Sequence, residues 1–434
     1  MEEGKIEEKQ TAATAKVKEE ITGKMDTYLI GIYVTLCIIS IIESFSASAQ
    51  EIAMTGSVYG PIIKHIMFLV IGTALMIWIA KTDFIKFPKW SVAFSVLVIV
   101  LLILTQLVGQ NINGAQRSFN ILGFTLQPAE LSKIAVVFSL AFLLAANIKE
   151  KSISKTGLIF CGFVVGAFGA LLVMQGMTNT LLFMGISISM LLIGGISKPQ
   201  LGKLVLFYIV LAGALYMCKS IHDESQLEDL ESIEQVEAKP MLRSGTWSNR
   251  LTAWFGEVFD ADPWTNENIL KEPQKRHSYM AQAHGGLVGV GPGQSRETSR
   301  LPLAFSDYVY SIVVEDLGFL GGLFVAALYF CTLFRAGQIA KRCRRAYPAM
   351  LVMGMATLIV MQAYFHMAIN TGVFPVSGQN LPLISKGGTS IFVICAAFGV
   401  MLSVSRTLPK GKKKNSVEEK LPDSIMAANP TAES

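Results

Sequence analysis

Long apolar runs follow one another along most of this chain, and one long polar stretch interrupts them. A membrane helix needs about 20 mostly apolar residues, and ten runs reach or approach that length. We therefore predict an all-α polytopic membrane protein with ten transmembrane helices. The predicted spans are Tyr28–Ser46, Ile62–Ala80, Trp90–Leu107, Ser132–Ala146, Leu158–Met174, Leu181–Gly194, Leu204–Met217, Leu317–Phe334, Met350–Ile369 and Thr389–Val404.

The polar stretch covers residues 218–306, between predicted spans seven and eight, and ends beside Asp307. It begins with acidic residues, Asp223 to Glu237, which we interpret as a solvated insertion. Aromatic residues around Trp254 follow, and they predict a loop that folds back onto the membrane surface. The chain thus divides into a tail (1–27), a membrane domain (28–406) that contains this large loop, and a second tail (407–434).

Basic residues predict the orientation, because Lys and Arg concentrate in cytoplasmic loops. Threading ten spans places every basic loop on one side. Both tails are then cytoplasmic and the stretch 218–306 faces outward. The basic residues are Lys81, Lys86, Lys89, Lys149, Lys151, Lys155, Lys198, Lys203, Arg335, Lys341, Arg342, Arg344, Arg345, Arg406, Lys410, Lys412, Lys413 and Lys414.

Composition agrees with a membrane protein. Hydrophobic residues make up 52% of the 434 residues and charged residues only 16%, against about 25% charged in soluble domains. The six cysteines form no C-x-x-C pair, so we expect small buried residues rather than a metal or disulfide framework. Met1 to Lys24 has no apolar core, so the first span is predicted to be a retained anchor.

The loop between spans three and four carries Arg117, Glu130 and Lys133. Glu130 and Lys133 are three residues apart and share a helix face. One interpretation is a simple ion pair within the helix. The other is that Arg117 and Lys133 supply positive charge to an anionic lipid headgroup, for which arginine is well suited.

Five glycines crowd the end of the long polar stretch. They resemble a dinucleotide loop only weakly, and no strand precedes them, so we reject nucleotide binding. Gly289 and Gly291 are predicted to close over a lipid headgroup; alternatively, the glycines only make turns. The five are Gly285, Gly286, Gly289, Gly291 and Gly293.

Asp307 stands at the start of span eight, with Ser311 and Glu315 on roughly the same helical face. An ionisable residue at the membrane boundary is a functional candidate, although aspartate is also favoured as a helix N-cap. The stretch Asp307–Asp316 is polar for a span, so we predict a slanted or re-entrant helix that lines a cavity.

The last outer loop ends in Ser385, Lys386, Gly387 and Gly388. Exposed N–H groups at a helix start form a natural anion site. The alternative is that these residues only form a flexible connection to the helix. His277 and His284 are an improbable zinc pair.

Together these segments resemble the SEDS family (shape, elongation, division and sporulation) over roughly Tyr28 to Arg406. Five motifs in the family's order carry the resemblance. They are Asn113-Gly-Ala-Gln-Arg117, Gln127-Pro-Ala-Glu-Leu-Ser-Lys133, the glycine segment with Leu301-Pro302 and Ser306-Asp307, Glu315-Asp-Leu-Gly318, and Leu381-Pro-Leu-Ile-Ser385 with Gly387-Gly388.

The resemblance implies a peptidoglycan glycosyltransferase that polymerises lipid II at the outer face of a bacterial cytoplasmic membrane, most like the division-type members at the septum. It implies Asp307 as the essential acid, with Arg117, Glu130 and Lys133 as further site residues, and a class B penicillin-binding protein and divisome proteins as partners. Asp307 would either act as a general base on the acceptor hydroxyl or hold a divalent cation, Mg²⁺ or Mn²⁺; no nucleic acid is expected.

The chain departs from the family pattern at several positions. Ser118 replaces a usual Trp and Lys386 a common Tyr, and the segment Gln175–Thr180 lacks an acid. The run Pro302–Asp307 lacks the usual Glu and His. Two other functions remain open, a lipid II flippase and an elongation-type polymerase. A transporter site is expected near the bilayer midplane, whereas these candidates cluster at the outer face.

Overall fold

The computed structural model describes residues 23–48, 59–108, 110–112, 115–121, 124–148, 153–208, 273–301, 304–375 and 377–408, with isolated positions 52, 56–57, 213 and 254. Helices dominate these residues. They are α1 (Thr27–Ser46), α2 (Gly60–Lys81), α3 (Phe87–Val108), α4 (Pro128–Asn147), α5 (Lys155–Gln175), α6 (Met177–Ile193), α7 (Pro273–Gly285), α8 (Val309–Ala340), α9 (Ala346–Asn370) and α10 (Gly388–Arg406). A 3₁₀ turn, Phe84–Lys86, precedes α3, and residues 198–208 are also helical.

Nine of the predicted spans coincide with helices, α1 to α6 and α8 to α10. Eight helices in the described part of the chain are long and apolar enough to cross a membrane, and α6 contributes a shorter apolar helix. The seventh predicted span, Leu204–Met217, is helical as far as residue 208, and most of its remainder lies outside the described residues. A mostly helical architecture with several membrane-length helices is therefore confirmed, and the number ten stays a prediction.

The interior of the bundle is built from α4, α9 and α10, whose residues are mostly buried. By contrast, α2 and α3 expose long apolar faces, including Val70 and Val96. Lipid tails are as apolar as these side chains, so such faces suit a membrane rather than water. The helices at the centre can then carry the polar groups that the periphery excludes.

A small sheet lies where the sequence suggested only a loop. Strands β1 (Gln110–Ile112), β2 (Ala115–Ile121) and β3 (Phe124–Leu126) form an antiparallel sheet in the order β1-β2-β3. Arg117 lies in the middle strand, one residue before Ser118, which pairs with Gln110. The connection between spans three and four therefore contains a sheet that the sequence analysis did not predict, because strands of three to seven residues leave no apolar run to detect.

Helix α8 is broken close to its start. Gly318 has φ 75° and ψ −179° inside the helix, a backbone conformation that other residues rarely adopt. The break separates a first segment, Val309–Leu317, from the long membrane-crossing part. This agrees with the prediction that the polar residues after Asp307 form a helix distinct from the rest of span eight.

The glycine segment after α7 packs backbone to backbone against this break. The N–H of Gly291 donates to Asp316 O at 2.9 Å, and the N–H of Phe319 donates to Gly286 O at 2.9 Å. A Cβ added at Gly289 would lie 2.2 Å from Asp316 O. The glycines are therefore needed for close approach of two chains, a role beyond the turns that the sequence suggested.

Most of the long polar stretch, including its acidic opening from Asp223 to Glu237, lies outside the described residues. Trp254 is described, and its Nε1 donates to Gly372 O at 3.2 Å while its ring stacks on Phe374 at a centroid distance of 6.4 Å. At this position the stretch contacts the loop after α9, and its predicted position on the membrane surface stays a prediction.

Replacing Gly289 by alanine should destabilise the protein strongly, because the new Cβ would clash with the backbone of Asp316. Gly293→Ala is a matched control: Gly289 has φ 87° and Gly293 has φ 82°, yet a Cβ at Gly293 meets nothing within 4 Å. Both variants carry the cost of positive φ, about 1–2 kcal/mol, and only Gly289→Ala adds the clash. Thermal unfolding in detergent should show a clearly larger loss for Gly289→Ala; equal losses would contradict the packing argument.

Candidate functional site

Asp307 lies in a turn, residues 304–308, that leads directly into α8. Its side chain is partly buried, which leaves it reachable at the end of the bundle. The N-cap of α8 is Tyr308, and no side chain caps this helix end. The capping interpretation of Asp307 was therefore wrong, and the role of its carboxylate must be sought elsewhere.

The loop before α10 holds this turn from one side. Ser385 Oγ donates to Ser306 O at 2.7 Å and accepts from the N–H of Leu381 at 2.7 Å. The N–H of Lys386 donates to Phe305 O at 3.0 Å. The loop before α10 thus fixes two backbone carbonyls that precede Asp307 in the chain. Ser385 and Lys386, which the sequence analysis selected, therefore lie at the same site as Asp307.

Asn370, the last residue of α9, holds the turn from the other side. Its Nδ2 donates to Asp307 O at 3.0 Å, and its Oδ1 accepts from the N–H and Oγ of Ser311 at 3.3 and 3.0 Å. Asn370 is completely buried. One carboxamide therefore fixes both the backbone of Asp307 and the first turn of α8.

A histidine stands behind Asn370. His366 Nδ1 lies 2.6 Å from Gln379 O, and a carbonyl can only accept, so Nδ1 carries the proton. The Nε2 atom is then an acceptor, and Asn370 Nδ2 lies 3.3 Å from it. Gln379 in turn donates from Nε2 to Asn179 Oδ1 at 2.8 Å. This chain of neutral groups ties Asp307 to α6 and α9, and the sequence interpretation missed all four residues.

The Asp307 carboxylate also contacts the loop after α9. A Cβ added at Gly378 would lie 2.8 Å from Asp307 Oδ2. Gly378 is itself exposed, so this edge of the carboxylate faces the surface of the bundle. The small size of Gly378 leaves the space that a bound group would need next to the acid.

Glu130 and Lys133 form a buried ion pair rather than an open cationic patch. Lys133 Nζ donates to Glu130 Oε1 at 2.7 Å and to Gln362 Oε1 at 2.9 Å. Lys133 is 1% exposed and Glu130 is 3% exposed. Gln362 Nε2 donates to Asn380 O at 3.1 Å and to Ser390 Oγ at 3.2 Å. The pair therefore fastens the start of α4 to the loop that holds Asp307.

Lys386 is oriented toward the turn as well. Its Nζ donates to Ser48 Oγ and lies 5.6 Å from the centroid of the Phe305 ring. Gly387 and Gly388 follow at the start of α10, and a Cβ at Gly387 would lie 2.7 Å from Asn380 Nδ2. The loop that contacts the turn of Asp307 thus carries the positive charge of Lys386 and leads into the N-terminus of α10.

Glu315 organises the glycine segment from inside α8. Its fully buried carboxylate accepts from Ser295 Oγ, from the N–H of Arg296 at 2.9 Å and from His284 Nδ1 at 2.9 Å. Gly289 and Gly291 are accordingly placed at the break of α8, near Glu315, rather than beside Asp307. Their contact with a substrate stays a prediction.

The structure gives no sign of the zinc site. His277 Nδ1 pairs with Glu297 Oε2 at 2.6 Å, and His284 pairs with Glu315. Among the described residues, no group of three or more His, Cys, Asp or Glu side chains is arranged to hold a metal ion. A cation at Asp307 would therefore need ligands from a bound substrate.

Comparison with known proteins shows what the chain is similar to. The family model that describes cell cycle proteins of the FtsW, RodA and SpoVE type matches residues 26–410. The chain is 27% identical over 405 residues to a probable peptidoglycan glycosyltransferase FtsW of Xanthomonas oryzae pv. oryzae, covering 92% of this chain and 76% of that protein. It is 27% identical over 388 residues to stage V sporulation protein E of Bacillus subtilis, with 88% and 97% covered.

Solved structures show the same fold. A chain from work on structural coordination of polymerization and crosslinking by a peptidoglycan synthase complex superposes with a TM-score of 0.63 at 19% identity, covering 88% of this chain and 98% of that one. The rod shape determining protein RodA of Thermus thermophilus gives a TM-score of 0.59 at 19% identity, with 89% and 98% covered. At this identity the likeness concerns the fold.

Removing the charge of Lys133 should destabilise the protein severely, because Glu130 would remain buried and unpaired. Lys133→Met is expected to cost about 3–5 kcal/mol in the free energy of unfolding. Adding Glu130→Gln to that variant should recover part of the loss, since no buried charge then remains. Denaturant titration of the single and double variants tests this coupling, and strictly additive losses would contradict it.

Proposed function

The chain belongs to the FtsW, RodA and SpoVE family of cell cycle proteins, and from that membership we propose that it is a peptidoglycan glycosyltransferase. It polymerises lipid II into glycan strands at the outer face of the cytoplasmic membrane. Relatives named as probable peptidoglycan glycosyltransferases FtsW match 92% and 83% of the chain. The observation that carries the proposal is the position of Asp307, held at the end of the bundle by two independent sets of hydrogen bonds.

The distribution of charge supports an outer location for this site. At the end of the bundle away from Asp307, Arg335 pairs with Asp26 at 2.6 Å and Arg406 pairs with Asp83 at 3.0 Å. These arginines begin or end the basic loops, which the positive-inside rule assigns to the cytoplasm. We infer from this orientation that both tails are cytoplasmic and that loop 218–306 faces outward in a chain of ten spans.

The reaction joins two lipid II molecules. The 4-hydroxyl of the acceptor glycan attacks the anomeric carbon of the donor, a new glycosidic bond forms, and the bond to undecaprenyl pyrophosphate breaks. Asp307 accepts the proton that the hydroxyl loses, as a general base.

Positive charge near Asp307 stabilises the pyrophosphate that leaves. Lys386 contacts the turn that carries Asp307. Arg117 lies in β2, and β3 follows it before α4 begins. Lys133 is 1% exposed. It therefore acts on the site indirectly, through its hydrogen bond to Gln362 and through its positive charge. Ser385, Gly387 and Gly388 supply donors at the start of α10, and Gly289 with Gly291 borders the headgroup.

The site offers a divalent cation, Mg²⁺ or Mn²⁺, one carboxylate from the protein. Magnesium commonly binds one or two protein carboxylates and completes its coordination with substrate phosphates and water. Asp307 would be the protein ligand, and the pyrophosphate of the donor would supply the others. Such an ion would neutralise charge on the leaving group.

The transpeptidase partner and the cellular site complete the proposal. A chain of this fold comes from a peptidoglycan synthase complex that combines polymerization and crosslinking. By analogy, this chain works with a class B penicillin-binding protein and with divisome proteins at the septum. An elongation-type role is the alternative within the same chemistry.

Asp307→Asn should abolish polymerisation while leaving the fold intact, because the amide cannot accept the proton. Loss of a general base lowers the rate by about 10²–10⁴-fold. The purified protein and its penicillin-binding partner, supplied with lipid II, would be assayed for glycan chains. Asp83→Asn is the matched control, since Asp83 is 55% exposed at the opposite end. Normal polymerisation by Asp307→Asn would refute the catalytic role, and lipid II flipping without polymer would favour a flippase.

Asn370→Asp should slow catalysis without weakening substrate binding. The variant keeps an acceptor for Ser311 but loses the donor that fixes Asp307 O, so the base is misplaced. Misplacement of a catalytic group by about 1 Å costs roughly 10²-fold. The expected result is a lower kcat with KM nearly unchanged. Asn147→Asp, at the far end of α4, should leave both constants unaltered. A raised KM with an unchanged kcat in Asn370→Asp would contradict the positioning role.

A further inference from the structure

Two buried carboxylates lie on α1 and on the first segment of α8, which both contact the loop around Gly293. Glu43 lies on α1 and is 0% exposed, and Asp316 lies at the break of α8 and is 1% exposed. Within the described part of the chain, none of their four carboxylate oxygens has a hydrogen-bond partner. Ser46 and the backbone of Gly293 lie beside Asp316, but their own hydrogen bond joins Gly293 N–H to Ser46 Oγ at 3.2 Å.

Among the described residues, no salt bridge compensates either carboxylate. Asp316 is close enough to Glu43 to repel it electrostatically. Lys133 is taken by Glu130 and Gln362, and Lys386 reaches Ser48 and Phe305. Two ionised carboxylates without partners are costly to bury in a medium of low dielectric constant. A bound ion that neutralises both carboxylates would remove this cost.

We propose that Glu43 and Asp316 form a binding site for a hard divalent cation, Ca²⁺ or Mg²⁺. Such a cation prefers oxygen ligands and accepts carboxylates in one- or two-oxygen coordination. One divalent ion balances both negative charges and engages all four free oxygens. A single shared proton would balance one charge and engage two oxygens. The Ser46 hydroxyl, next to Asp316, supplies a further oxygen.

The site is reachable from the surface. Pro292, Gly293 and Gln294 are exposed, and the N–H of Gly293 already contacts Ser46. Once bound, the cation links α1 to α8 at the point where α8 is broken by Gly318, so it stiffens the element that carries Asp307. This site is separate from any cation that the reaction itself uses.

The test is cation-dependent stability of the full-length protein in nanodiscs. After treatment with EDTA, Ca²⁺ or Mg²⁺ is titrated while thermal unfolding and calorimetric binding are measured. Wild type should bind one ion with these ligands and gain several degrees in Tm, since a ligand that binds only the folded state stabilises it. Glu43→Gln and Asp316→Asn should each weaken binding at least tenfold. The double variant should show no response and should unfold at a higher temperature than EDTA-treated wild type.

Two controls keep the outcome specific. Asp307→Asn should retain the full cation response, which separates this site from the proposed catalytic one. Glu315→Gln should lower Tm because the amide nitrogen cannot accept the hydrogen bond from Ser295 Oγ, yet it should keep the response. Cation binding that persists in the double variant would overturn the proposal. So would a wild-type Tm that is insensitive to both ions and rises on acidification, because a shared proton would then neutralise the pair.

Discussion

A polar group buried among membrane helices must find its hydrogen bonds within the protein, because no water or lipid group replaces them. Asn370 shows how much of this structure depends on that constraint. Its single carboxamide is completely buried and bonds Asp307, Ser311 and His366. Losing it would leave several groups unsatisfied at once, so the geometry of the turn before α8 is specified far more sharply than a surface loop would be.

The same constraint explains why polar residues interrupt α8. Glu315 is fully buried and accepts hydrogen bonds from the loop that follows the glycine segment. The glycines let that loop approach the helix backbone closely enough to bond Glu315 O and Asp316 O. Burial of the carboxylate and the break at Gly318 are thus two parts of one arrangement, which places Asp307 at a rigid helix start. Glu43 and Asp316 lack such partners, which sets them apart.

The sequence predicted the helices well because each membrane span leaves a continuous apolar run, and this signal is local. Nine predicted spans coincide with helices, with ends that differ by several residues. The sheet around Arg117 was missed, because its strands are only three to seven residues long. Asn113-Gly114, between β1 and β2, is the type of dipeptide that favours a hairpin, and it was the available signal.

By itself the sequence determined the membrane architecture, and it predicted the side on which the polar loops gather and a role for Asp307, since hydropathy, charge and motif order are properties of neighbouring residues. Only the tertiary structure decided which groups hold Asp307 in place. Asn370, His366 and Gln362 lie on α9, and each bonds a residue distant in sequence. Tertiary structure also showed that Lys133 is buried against Glu130. Contacts of this kind arise from helix packing, which no local pattern encodes.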